Sequence, residues 1–232
     1  MKKLILILLF VSSLKQVYCQ DILNLDSEIE DSILNLDIKE KKITATINAN
    51  GKSKSEIYSS INRWVSVNYN SANNVIQMND KEAGIMIVKG LNSLIFNNPT
   101  RSTYPKTKAI PLKSELLLSH LLEIKVRDNK YRLIYTITGI VETTPLNTMY
   151  SNPNTYDCIN LNGTTDESIA KFNNFWKEEY FKKSMMSKKK RVTYLSFSKP
   201  IFDKINTELA LTFVSNFTSI NKMVNETSDD DW

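Results

Sequence analysis

A chain of 232 residues with 41% hydrophobic and 24% charged side chains has the composition of a folded protein and room for one medium domain with extensions. The formal charge of +5 invites a nucleic-acid reading, but Lys2, Lys3 and Lys15 fall in a segment expected to be removed, which leaves +2. A single histidine and five scattered glycines exclude a histidine-based metal site, a Ser-His-Asp triad and a phosphate-cradling glycine loop.

Met1-Lys2-Lys3 is a positive start, and Leu4 to Val11 is an unbroken apolar run of eight residues. That run is too short to span a membrane and has the length of a signal-peptide core. Val17 and Cys19 then occupy the −3 and −1 positions for a cut before Gln20. A lipoprotein cut before Cys19 is the rival, and it would put Tyr18 where a small residue is wanted. Residues 1–19 therefore read as a signal peptide. The protein is expected to be exported, periplasmic or extracellular, with no transmembrane segment after cleavage. Cleavage leaves Cys158 without a disulfide partner, and with no His/Asn set around it the thiol reads as buried and inert.

Residues 20–40 form an acidic, duplicated segment. Ile22-Leu23-Asn24-Leu25-Asp26 recurs as Ile33-Leu34-Asn35-Leu36-Asp37, eleven residues later. Eleven residues are about three helical turns, so both copies could share one helix face. Asp21, Asp26, Glu28, Glu30, Asp31 and Asp37 precede the first base, Lys39. The segment is either a docking motif, a flap over a basic groove, or a solvated linker.

Residues 41–142 carry the main domain. Ile43-Thr44-Ala45-Thr46-Ile47 alternates as a half-buried strand does. Ser53-x-x-Glu56 is a capping box, and Ile57, Ile61, Trp64 and Val65 follow at helical spacing up to Tyr69. Val75–Met78 and Ile85–Leu91 are short strands. Asn97 to Pro111 is polar and rich in breakers, and is expected to be a long mobile loop. Glu115–Val126 and Tyr131–Val141 are two strands around an Asp128-Asn129 turn. His120 falls inside an apolar strand and reads as a core residue.

The run Gly51-Lys52-Ser53-Lys54-Ser55-Glu56-Ile57-Tyr58, then Arg63-Trp64, Val75 to Gly84, and Val88-Lys89-Gly90 resembles a bacterial family of unknown function, as does the later Tyr131-Arg132-Leu133. That family is described as having a TATA-binding-protein-like (TBP-like) fold and is abundant in exported proteins of Bacteroidota. The resemblance covers about Lys39 to Val141. It implies a curved antiparallel sheet with helices packed on one face, and the residues themselves give the α+β order β-α-β-β-β-β plus a C-terminal helix that can close it. It implies no activity, and the fold label imports no DNA binding.

Residues 143–200 are expected to be a linker, a helix and a basic patch; 201–226 a C-terminal helix; and 227–232 an acidic tail. Asp166 to Met186 reads as a helix whose Ile169, Phe172, Phe175, Trp176 and Tyr180 either pack on the sheet or present a partner site. Lys182, Lys183, Lys188, Lys189, Lys190 and Arg191 form the densest basic run. It reads either as an anion-binding surface or as a solvated helix C-terminus and loop, before a strand at Val192–Phe197. In the last helix Ile201, Phe202, Ile205, Leu209, Phe213 and Phe217 share one side.

No cofactor, metal site or catalytic motif is legible, so the reading is a non-catalytic exported module that binds an envelope protein or an anionic envelope polymer. An enzyme of unrecognised type is the alternative. Nucleic-acid binding through the sheet ranks below both, because of export and the low mature charge.

Overall fold

The computed structural model describes residues 32–69, 72–142, 156–182 and 186–225. The expected signal peptide with Cys19, the first copy of the duplicated segment, Lys183, the stretch 143–155 and the expected acidic tail lie outside the described residues.

The sheet has six antiparallel strands: β1 (Ile33–Lys39), β2 (Lys42–Asn48), β3 (Ile76–Asp80), β4 (Ile85–Asn97), β5 (Lys113–Arg127) and β6 (Lys130–Glu142). Their spatial order is β1-β2-β6-β5-β4-β3. Two helices are long: α1 (Lys54–Asn68) and α6 (Ser198–Asn225). Shorter ones are α2 (Ala72–Val75), α3 (Pro99–Thr103), α4 (Asp166–Phe175), which runs on into a π-turn at Trp176–Tyr180, and α5 (Lys188–Leu195). The β-α-β-β-β-β order expected from Ile43 to Val141 is present, with β1 added before it.

Strand alternation sets the two faces. Ala45, Leu116, Leu118, Ile124, Leu133 and Tyr135 are all buried and form the floor of the core. Above them α1 contributes Ile57, Ile61, Trp64 and Val65, and α6 contributes Ile205, Leu209, Phe213 and Phe217, all buried. Burying each such side chain is worth about 1.5–3 kcal/mol before entropy is counted. The capping box forms as expected: the Ser53 side chain accepts from the Glu56 amide, and Glu56 accepts from the Ser53 amide at 2.7 Å. Two polar links tie α6 to the rest: Trp64 Nε1 donates to Ser219 Oγ at 2.8 Å, and the Tyr131 hydroxyl donates to Asn221 Oδ1 at 3.0 Å.

Three expectations need correction. Residues 33–39 are neither linker nor helix: they form β1, paired along β2 from Ile33↔Ile47 to Lys39↔Lys42. An edge strand covers only one face, so Leu36 and Ile38 pack inward on the core while Asn35 and Asp37 stand opposite Thr46 and Thr44. Asn97–Pro111 is irregular only in part, since residues 104–111 carry turns but no helix or strand. β4 runs on to Asn97, and Asn98 caps α3, its Oδ1 accepting from the Arg101 amide at 3.0 Å. Val192–Phe197 is not a strand: residues 188–195 form α5, capped by Ser187.

Thr143–Gly163 reads from its Pro, Asn and Thr content as linker or irregular cover, and its described part, 156–163, is the second. Cys158, Ile159 and Leu161 are buried, and the Leu161 amide donates to the Glu40 carbonyl at 2.8 Å. The aromatic cluster of α4 resolves toward packing: Phe172, Trp176 and Phe181 are buried, and Phe172 meets Phe202 edge-on at 5.0 Å.

Candidate functional site

The basic run singled out in the sequence does not come together as one surface. Lys182 bonds to Glu178 one helical turn away. Lys190 lies 4.0 Å from the centre of the Tyr104 ring. Arg191 stacks over Phe181 at 5.5 Å while its Nε donates to the Met186 carbonyl at 2.7 Å. Lys188 and Lys189 remain exposed, and Lys183 lies outside the described residues. Lys188–Arg191 also begins a helix instead of ending one. The macrodipole there disfavours cations, so the helix-C-terminus explanation does not hold for Lys188–Arg191, whereas Lys182 does follow the end of the helical turn at Trp176–Tyr180.

A second basic cluster is built by strand register, and sequence density does not reveal it. Lys125 on β5 stands directly opposite Arg132 on β6, and Arg127 directly opposite Lys130. Side chains two apart on a strand share a face, so all four cations project from the face opposite α1 and α6. Directly opposed side chains have Cβ atoms roughly 5 Å apart, and same-strand neighbours roughly 7 Å. Like charges directly opposed destabilise a sheet. Two such pairs in succession are therefore a local cost to the fold.

The position is firmly held. Asn129 takes φ 62° at the β5–β6 turn, a conformation asparagine tolerates. Its amide donates to the Lys52 carbonyl at 2.9 Å, and its side chain accepts from the Gly51 amide at 3.0 Å. Asp128 accepts from the Lys54 amide at 2.7 Å, so its carboxylate faces the N-terminus of α1. Arg132 Nε donates to Thr46 Oγ1 at 3.0 Å, which anchors that guanidinium across to β2. Glu123 pairs with Lys125 at 2.9 Å and is the one carboxylate bonded to the cluster among the described residues. Thr46, Lys125, Arg127, Lys130, Tyr131 and Arg132 line a pocket of about 130 Å³. The arrangement offers fixed positive charge and donors to an anion.

A second pocket, of about 120 Å³, lies where α4 begins and holds Glu40, Asp157, Glu167 and Lys171. A hydrogen bond from Lys171 to Glu167, together with that carboxylate's charge, raises the Lys171 pKa. A lysine acting as base or nucleophile needs the opposite shift. Cys158, nearby, donates from Sγ to the Ser168 carbonyl at 3.0 Å, and burial pushes its thiol up to about 11. That is the inert form expected from the sequence. His120 is 2% exposed, and burial lowers its pKa to about 4. Among the described residues no three carboxylate, histidine or cysteine side chains gather closely enough to hold a metal ion, and no helix is long and apolar enough to cross a membrane.

Comparison with known proteins bears on the fold. Two solved structures are similar. One is a TBP-like protein from Parabacteroides distasonis ATCC 8503, with 15% identity, a TM-score of 0.43, and coverage of 81% of this chain and 94% of that one. The other is a DUF4468 family protein from Bacteroides ovatus ATCC 8483, with 11% identity, a TM-score of 0.34, and coverage of 80% and 96%. No curated protein matches this chain. A family model matches from within β2 to the end of β6, leaving β1 and α4 to α6 outside it. Over residues 44–142 this chain therefore matches the domain of unknown function (DUF4468) with a TBP-like fold, and the resemblance legible in its sequence stands.

Proposed function

We propose that the protein is an exported, non-catalytic module that binds an anionic polymer of the cell envelope through the tip of the β5–β6 hairpin. The observation that carries this reading is the pair of opposed like charges, Lys125 with Arg132 and Arg127 with Lys130, on one rigid turn. A fold gains nothing from placing four cations this way, whereas a polymer bearing phosphate, sulfate or carboxylate groups gains several charge-assisted hydrogen bonds at once. The export reading rests on the Met1–Cys19 sequence. The non-catalytic reading is supported by the buried His120, the raised Cys158 thiol and the raised Lys171 ammonium.

The test is retention of the purified protein on immobilised dextran sulfate, with duplex DNA as comparator. Binding should weaken steeply with salt, because polyanion binding releases counterions. Changing Arg127 and Arg132 to Glu should abolish retention, while changing Lys188 and Lys189 to Glu should leave it within about twofold. The reverse ranking would move the site to α5. Preference for DNA over the polysaccharide would replace this reading with a nucleic-acid one.

A further inference from the structure

Beyond β3, one margin of the sheet is left open. β3 pairs with β4 only as far as Val88, whereas β5 follows β4 to Asn97 in one unbroken register. The Asn98 amide donates to the Leu112 carbonyl at 3.0 Å, and the Val126 amide to the Gly84 carbonyl at 2.8 Å. Both pairs lie in that register. The even-numbered residues of β4 therefore bond to β5, and the odd-numbered ones point their N–H and C=O groups the other way. Leu91, Ser93, Ile95 and Asn97 thus present backbone donors and acceptors to an edge that no other strand covers among the described residues. The side chains of Leu91 and Ile95, each 55% exposed, stand beside it on the sheet face away from α1 and α6. One outward acceptor already carries a substitute donor: Lys204 Nζ reaches from α6 to the Ile95 carbonyl at 2.7 Å. Natural sheets keep such edges short or charged, because they accept a further strand.

We infer that this edge takes an extended segment of a partner protein as a further strand, one with two apolar side chains four residues apart and acids flanking them. The backbone groups of Leu91, Ser93 and Ile95 supply the hydrogen bonds. Side chains directly opposite Leu91 and Ile95 lie roughly 5 Å away on the open face, which sets the apolar spacing. The acids follow from the charge of the edge. Lys89 stands exposed two residues before Leu91 on the same face. At the other end Lys113 bonds to Asn97 Oδ1 at 2.8 Å, and Lys204 lies alongside at Ile95. The carboxylate of Glu115 is bonded to Ser93. A second copy of β4 would bring the same lysines against these, whereas an acidic segment complements them. The arriving strand's N–H would replace Lys204 on the Ile95 carbonyl and free that ammonium to pair with an acid. The edge lies at the far end of β4 from the basic tip, and neither reading rests on the other.

The probe is the synthetic peptide Glu-Thr-Ile-Thr-Thr-Thr-Ile-Thr-Glu, which reads the same in both directions and so samples parallel and antiparallel addition. Added to the purified protein, it is expected to slow amide hydrogen exchange at least tenfold at Leu91, Ser93 and Ile95, and far less at the even-numbered amides of β4 that already bond to β5. A peptide with both isoleucines replaced by serine keeps the charges and should bind at least tenfold more weakly. Ser93→Pro removes an outward N–H at an edge position, where proline is tolerated, and should weaken the parent peptide at least tenfold. Lys89→Glu should weaken it at least threefold, and as an exposed change it decides the matter if Ser93→Pro does not fold. No binding at about 1 mM peptide would overturn the inference. So would equal binding of the serine peptide, or changes centred on Arg127 and Arg132, which would make the peptide a ligand of the basic tip. Protection of Leu91, Ser93 and Ile95 in peptide-free dimers would make a second copy the occupant and overturn it as well.

Discussion

Gly90 on β4 and His120 on β5 face each other across the sheet, and the imidazole fills the space that a side chain at position 90 would need. A Cβ on Gly90 would lie 2.4 Å from His120 Nε2. The ring has little room to retreat, because Tyr135 packs on it at 4.7 Å. Gly90→Ala is therefore expected to destabilise the fold by about 1–3 kcal/mol. His120→Ala should cost stability alone yet rescue Gly90→Ala in the double variant, a coupling readable in a denaturant double-mutant cycle. Additive costs would contradict the packing described.

The same histidine makes stability depend on pH. Burial holds its pKa at about 4 in the folded chain, below the ordinary 6.5. Between those values the unfolded chain binds a proton that the folded chain refuses. The stability is fully present above about pH 6.5 and is lost as the pH falls toward 4, by about 3 kcal/mol in total. In His120→Phe this component of the slope should vanish. The variant loses no hydrogen bond, because Nδ1 and Nε2 have no partner among the described residues, but its larger ring must fit against Gly90 and Tyr135 and sets a stability cost that does not vary with pH. An unchanged slope would assign the pH dependence to other groups.

At the tip, binding and stability should trade against each other. Lys130→Glu converts the Arg127–Lys130 repulsion into an opposed ion pair. It is expected to raise stability, by up to about 1 kcal/mol, while weakening polyanion binding. Chemical denaturation and dextran sulfate retention measured on one preparation check both halves. A variant that loses both would point to a structural role for Lys130.

Helix α6 lies outside the family match, yet Phe213, Phe217 and Ile220 are buried in the common core. Asn221→Ala would leave the buried Tyr131 hydroxyl without its acceptor and should cost about 1–3 kcal/mol. Tyr131→Phe added to it should restore part of the loss. A fragment ending at Glu142 should fail to unfold cooperatively in urea. A sharp two-state transition for that fragment would show that the matched segment folds without α6.

Much of the fold was legible because local and global signals agree. The Ser53–Glu56 capping box, the Asp128-Asn129 turn and the apolar stripes of α1 and α6 each point to the element that forms. β1 was harder to read. Its Asn and Asp are tolerated on an edge strand's open face, and the eleven-residue repeat imitates a helical period. α5 was masked by Val192, Thr193 and Tyr194, which favour strands, although Ser187 stood at its N-cap. The basic tip was legible in principle as Lys-x-Arg on each side of a two-residue turn. Density along the chain drew attention to Lys188–Arg191 instead, whereas register across strands sets which charges meet.

The most direct test of the central claim is a ¹H–¹⁵N NMR titration of the purified protein with dextran sulfate at low salt. Shift changes concentrated at the tip of the β5–β6 hairpin and the adjoining part of β2, at Thr46, Lys125, Arg127, Lys130 and Arg132, are the predicted result. Changes confined to residues 182–191, or no changes at saturating polymer, would contradict it.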